Sequence, residues 1–227
     1  MTTPRKRVII LVAAWIALIA LSMLLDRPVA NFAKANNIPQ WLKSTGLATV
    51  LKIPGEYFVT AVLAAVATYF YARQPKWHAG AFILLCGLIS GVNGFIKWIA
   101  GRARPYKMLA SKQDAELNPF YFQPFFHGIS GMFGTSNLCF PSGHAALAFA
   151  NAAGLAILFP RWRWAFYAVA SLTAAERFLE TAHYFSDTVA AAALGIGGAH
   201  LLAWLFGGRS DVTEPRGFEP VMTQGRA

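Results

Sequence analysis

The stretch Asn137 to Phe159, NLCFPSGHAALAFANAAGLAILF, passes from a Pro-Ser-Gly turn through His144 into an unbroken apolar segment. A helix this uniformly apolar belongs either in a protein core or in a bilayer. An ionisable side chain at the mouth of such a helix is expensive to keep there, which makes His144 a functional candidate. Composition decides the setting: of 227 residues, 56% are hydrophobic and only 13% charged, with a mean hydropathy of +0.43. That balance is a membrane protein's.

Working outward from His144–Phe159, five more apolar runs are legible, near Val8–Leu25, Tyr57–Ala72, Ala79–Ala100, Trp164–Phe178 and Thr188–Phe206. Six runs predict an all-α bundle of six transmembrane helices over residues 1–206, followed by a polar, Pro- and Gly-containing tail over 207–227 that is expected to be mobile and cytoplasmic. The Arg5-Lys6-Arg7 start before the first run also fits a signal peptide, but the run is long for one and lacks a small-x-small cleavage site, so it is expected to stay as a helix.

The net charge of +10 does not point to nucleic acid, because the basic residues flank the apolar runs instead of gathering with aromatics on one segment. Basic, acid-free stretches at Arg5–Arg7, around Arg73 and Lys76, and at Arg161 and Arg163 are expected to face the cytoplasm. The loops around 26–56, 101–143 and 179–187 then fall on the opposite face. Cys86 lies within an apolar run and Cys139 in an outer loop, so no disulfide is expected. Gly195 and Gly198 predict close helix packing, and Asn151 a helix-to-helix hydrogen bond.

Three polar clusters reach that opposite face. In NGFIKWIAGRARPYK, Lys97, Arg102, Arg104 and Lys107 crowd one helix end, and Pro105 makes a rigid place to hold the Arg104 guanidinium fork beside the point charge of Lys97. In FPSGHAA, Ser142 and the Gly143 amide offer a hydroxyl and a backbone donor at a helix start, where the dipole favours an anion, with His144 alongside. In AERFLETAHYFSD, Arg177 precedes His183 and Asp187, and a helix beginning at His183 would let the Asp187 carboxylate reach the imidazole. Taken alone, each cluster also has an ordinary reading as anchoring or capping residues. Together, on one face, they describe a phosphoryl-transfer site in which cations rather than a metal balance the charge. With no metal-ligand spacing anywhere in the chain, no metal and no cofactor is expected.

Lys97 with Arg104-Pro105, then Pro141-Ser142-Gly143-His144, then Arg177, His183 and Asp187 resemble, in order and spacing, the three signature motifs of the type 2 phosphatidic acid phosphatase (PAP2) superfamily, which shares its fold with vanadium haloperoxidases. One departure is Glu176, where the family's third motif usually has serine. The resemblance implies that His183 attacks phosphorus to form a phosphohistidine, that Asp187 orients it, and that His144 serves as acid and then base. Lys97, Arg104, Arg177, Ser142 and Gly143 would hold the phosphate oxygens. It further implies an integral membrane hydrolase with its site on the non-cytoplasmic face and a lipid phosphate as substrate: undecaprenyl diphosphate, phosphatidylglycerol phosphate, phosphatidic acid or the lipid A 1-phosphate. A lipid-to-lipid phosphotransferase and a non-catalytic carrier are the alternatives.

Overall fold

The protein is seen in a computed structural model that describes residues 4–70, 77–110, 120–125, 128, 134 and 137–207. The chain runs as α1 (Pro4–Ala35), α2 (Ile38–Ser44), α3 (Leu47–Lys52), α4 (Tyr57–Phe70), α5 (Trp77–Ile89), α6 (Val92–Ala100), α7 (Pro105–Ala110), α8 (Gly143–Leu158), α9 (Arg163–Leu179) and α10 (Phe185–Gly207). No strand is present among the described residues, only isolated bridges pairing Arg102 with Phe122 and Ala103 with Leu138.

The helix that opens at His144's turn is the centre of the bundle. In α8 every residue from Ala145 to Leu155 is buried, and its neighbours are α5, α9 and α10. Alanine and glycine make this possible, because small side chains let backbones approach closely where lipid gives no hydrophobic incentive to associate. At the expected Gly195, a Cβ would stand 2.5 Å from the Ala146 carbonyl oxygen, so α10 could not lie this near α8 with any other residue. Asn151 pairs with Thr60 of α4 across the same core at 3.0 Å, the helix-to-helix bond its position predicts.

The outer surface is a belt of exposed Val, Ile, Leu and aromatic side chains on α1, α4, α9 and α10. Such a surface suits hydrocarbon and not water, and with the helix lengths it makes the chain an integral membrane protein. Over their described residues the six apolar runs are helical, the third with a turn at Ser90–Gly91 between α5 and α6, but their lengths do not establish six crossings. Val8–Ala35, His78–Ala100 and Phe185–Leu205 are long and apolar enough, and Leu47–Gly55 with Tyr57–Phe70 makes a fourth only if a pair bent by 56° counts as one span. α8, with 16 residues, and α9, with 17, fall short of the about 20 that a straight crossing takes.

Two boundaries also differ from the sequence reading. α1 continues through Asp26 and Arg27 to Ala35, because Asp26 is paired inside the bundle and need not end the helix. The 26–56 segment, read as a loop, folds after α1 into two short helices and a 3-10 turn, Ile53–Gly55. Arg73, Lys76, His127 and the tail from 208 lie outside the described residues.

Candidate active site

The three motif segments are stitched together by backbone hydrogen bonds at one end of the bundle. Cys139 N–H donates to the Arg102 carbonyl (2.9 Å), Ser142 N–H to the Asp187 carbonyl (3.1 Å), Tyr106 N–H to the Thr181 carbonyl (3.1 Å) and His183 N–H to the Arg177 carbonyl (3.2 Å). Sequence-distant turns thus become one rigid floor, which is what a site needs to hold side chains in reactive geometry.

On that floor His183 is almost wholly buried, with 2% of its surface exposed. Its Nδ1 lies 2.8 Å from the Cys139 carbonyl oxygen, so Nδ1 carries the hydrogen in the neutral ring and Nε2 keeps its lone pair. Asp187 Oδ2 is 3.6 Å from the same nitrogen. This differs from the sequence reading: α10 begins at Phe185, not His183, so Asp187 caps the helix start by accepting from Tyr184 N–H at 2.8 Å. The Cys139 carbonyl therefore makes the direct bond to the imidazole, with the Asp187 charge beside it. Burial pushes the His183 imidazole down to about 4, against the pull of Asp187 and aided by the positive charges of Lys97 and Arg104. A histidine in that condition is neutral near pH 7, as a nucleophile must be.

Behind Asp187 is a buried network that the motifs do not announce. Arg102, 1% exposed, donates from Nη1 to Asp187 Oδ1 (2.5 Å) and to Ser186 Oγ (2.8 Å), and from Nη2 to Asp26 Oδ2 (2.6 Å). Asp26 in turn accepts from Ser186 N–H at 2.8 Å and from the Ser186 hydroxyl at 2.6 Å. Burial opposes charge on Arg102, but the Asp187 and Asp26 carboxylates more than offset this and hold it above its ordinary value. The guanidinium also lies over the Tyr184 ring, 4.0 Å from its centroid.

The second motif lies against the same floor, its Ser142 N–H bonded to the Asp187 carbonyl. Ser142 caps α8, yet its side chain makes no capping bond, and its fully buried Oγ has no hydrogen-bond partner among the described residues. The buried Nε of Arg104 is likewise without one among the described residues. Gly143 departs from expectation. With the Asn93 amide oriented to satisfy both its ends, its oxygen accepts from Gly143 N–H at 3.0 Å and its nitrogen donates to the Pro141 carbonyl at 3.2 Å. The Gly143 donor is therefore engaged by Asn93 of α6.

Arg177, also buried, is gripped by acids on its own chain segment. Its Nε donates to Glu176 Oε2 at 2.5 Å, and its Nη2 donates to Glu176 and to Glu180. The exposed Lys43 stands 3.7 Å from Glu180 on the outer side. His144, at the mouth, is one-third exposed, and its Nε2 is 3.2 Å from Glu56 Oε1. Cys139 and Cys86 are both buried and free. Among the described residues no three His, Cys, Asp or Glu side chains form a set that could hold a metal ion.

Every motif residue named from the sequence therefore belongs to this end of the bundle. Asp26, Ser186, Asn93 and Glu56 were not foreseen, and Arg102 was read only as one cation among several. Asp26 follows directly on the run read as Val8–Leu25 and looked like the start of a loop; only the continuation of α1 to Ala35 places its carboxylate inside the helix. Glu56 carried no signal, since an acid in a polar loop is unremarkable until the fold brings it to His144.

A family model described as PAP2 superfamily matches residues 75–211. The lipid A 1-phosphatase of Rhizobium johnstonii is 35% identical over 136 residues, covering 60% of this chain and 50% of that protein. The lipid A 1-phosphatase of Rhizobium etli is 35% identical over 125 residues, covering 55% of this chain and 48% of that protein. The chain thus spans about half the length of these curated relatives. Among solved structures, the crystal structure of the first transmembrane PAP2 type phosphatidylglycerolphosphate phosphatase from Bacillus subtilis superposes with a TM-score of 0.57 over 88% of this chain and 96% of that one, at 18% identity.

Proposed function

The chain belongs to the PAP2 superfamily, and from that premise we propose that it hydrolyses a lipid-borne phosphate through a phosphohistidine on His183. The observation that carries the reading is the geometry of that imidazole: buried, its Nδ1 held at 2.8 Å from the Cys139 carbonyl so that Nε2 keeps its lone pair, with the charges of Lys97 and Arg104 acting on it. Nε2 attacks phosphorus and the bond to the leaving oxygen breaks. His144 gives that oxygen a proton, then takes one from the water that attacks the phosphohistidine and releases phosphate.

Lys97, Arg104 and the Ser142 hydroxyl neutralise the equatorial oxygens as charge develops on them. Arg177 adds a charge already shared with Glu176 and Glu180, so it contributes less than a bare guanidinium. The Gly143 amide joins the donor set only if Asn93 turns away. Asp187 acts at one remove, its charge favouring the positive imidazolium that forms as the P–N bond is made, with Arg102 holding it in place. The catalytic domain spans 1–206, and the tail lies on the cytoplasmic side. Because the site opens at a bilayer surface, an acyl or prenyl tail stays in lipid while the phosphate enters. The resemblance to two lipid A 1-phosphatases makes a glycosidic phosphate on an acylated sugar the first substrate to try.

The test is phosphate release in detergent, with EDTA and no acceptor lipid, from lipid A 1-phosphate, phosphatidylglycerol phosphate, phosphatidic acid and undecaprenyl diphosphate. Release from at least one of them, undiminished by chelation and inhibited competitively by vanadate, is expected. Phosphate that leaves only when an acceptor lipid is added marks a phosphotransferase, and no turnover on any of the four, in a folded preparation, marks a carrier. The site is placed on the non-cytoplasmic face; a cysteine put in place of exposed Lys107 should react with an impermeant maleimide from that side, and reaction from the cytoplasmic side alone reverses the orientation. Cys139 cannot serve as this reporter, because it is fully buried.

A further inference from the structure

His144 and Glu56 meet although 88 positions separate them in sequence. Glu56 sits where the chain bends between the Ile53–Gly55 turn and α4, and Gly55 is what allows the approach. A Cβ on Gly55 would stand 2.4 Å from the His144 carbonyl oxygen and 2.7 Å from its Cβ, so this bend lies directly against the first turn of α8. The carboxylate then reaches the ring at 3.2 Å with 38% of its surface still exposed, near enough to act and open enough to exchange protons with water. The charged groups facing His144 are Arg177 from α9, Glu56 from the bend and Lys52 from the end of α3. Burial first, then Arg177 and Lys52, hold the His144 imidazole below its ordinary value; Glu56 is the anion that pulls against them.

We infer that Glu56 is a positioning residue for the reaction: it orients the His144 ring at the start of α8 and favours its protonated form against burial and the neighbouring cations, so that more of the enzyme carries a proton for the leaving oxygen. The inference rests on the reading of His144 as acid and base. In the first half-reaction the proton passes from His144 to the leaving oxygen. In the second, His144 takes a proton from water and the imidazolium re-forms against Glu56. A lipid alkoxide or sugar oxygen, a poor leaving group, needs that proton, and a nitrophenolate does not.

The experiment compares wild type, Glu56→Gln, Glu56→Asp and His144→Ala on a lipid phosphate and on a nitrophenyl phosphate, each across pH. Glu56→Gln preserves shape and removes charge at a half-exposed position, so it is expected to fold. Its basic limb of kcat/KM for the lipid phosphate should move to lower pH by roughly one unit, a loss of about tenfold above the limb, with the nitrophenyl ester changed by less than about twofold. Glu56→Asp should keep the wild-type limb. An unmoved limb in Glu56→Gln, or equal losses on both esters at every pH, overturns the inference while leaving the function intact. If His144→Ala instead hurts both esters equally, the acid role of His144 falls, and the role of Glu56 with it.

Discussion

His183→Asn is expected to lower turnover by at least roughly four orders of magnitude while the protein remains folded and membrane-inserted. The variant is chosen because His183 is buried, with 2% exposure, so truncation to alanine would open a cavity beside Asp187 and confound chemistry with stability. An asparagine amide can still donate to the Cys139 carbonyl, where the imidazole Nδ1 now lies at 2.8 Å, but it offers no nitrogen lone pair toward phosphorus. Substrate binding should survive, because Lys97, Arg104 and Ser142 remain. Phosphate release by the purified variant, together with its thermal unfolding in detergent, checks this. A variant that turns over at wild-type rates refutes the assignment of the nucleophile.

The second large effect is expected at Arg102. Replacing it with Met removes a guanidinium that bridges Asp187 and Asp26, both fully buried, and leaves two carboxylates in low dielectric without their counter-charge. Breaking such a buried arrangement costs about 3–5 kcal/mol, because the stranded charges cannot return to water. For a chain of this size that corresponds to a fall in unfolding temperature on the order of 10 °C. Activity should fall as well, since Asp187 without Arg102 loses the partner that holds it beside His183. Arg102→Lys keeps charge but not the fork, and should recover part of the stability and little of the rate. A variant with unchanged unfolding temperature and unchanged rate would mean the network bears on neither property.

The contrast between these two positions marks what could be read from sequence. Helices betray themselves by apolar runs, and the runs at His144–Phe159 and Thr188–Phe206 needed only the patterning of one face or all faces. His183, Lys97 and Arg104 were legible because phosphoryl chemistry restricts which residue types can serve, and because their spacing matches a known family. Arg102 was not, because four basic side chains in one helix-end segment look alike until burial separates the 1%-exposed Arg102 from the exposed Lys107. Asp26 and Ser186 meet across 160 positions, and Glu56 and His144 across 88, separations at which no local periodicity operates. Asp187 does reach the His183 imidazole, at 3.6 Å, but through another backbone geometry than the one expected. The i,i+4 rule assumes a helix through both residues, and here the helix starts two residues late so that Asp187 can cap it. Crossing number is legible only in part: α8 and α9 have 16 and 17 residues, so length and composition alone identify three spans, or four with the bent pair, among the described residues.

The central claim is that phosphorus is passed to His183 before it is passed to water. The most direct measurement is the steric course of hydrolysis of a lipid phosphorothioate made chiral at phosphorus with oxygen isotopes. It reports the number of displacements whether or not an intermediate accumulates. Two in-line displacements, one by the imidazole and one by water, predict overall retention of configuration at phosphorus. Inversion would mean that water attacks the lipid phosphate directly, and would contradict the phosphohistidine.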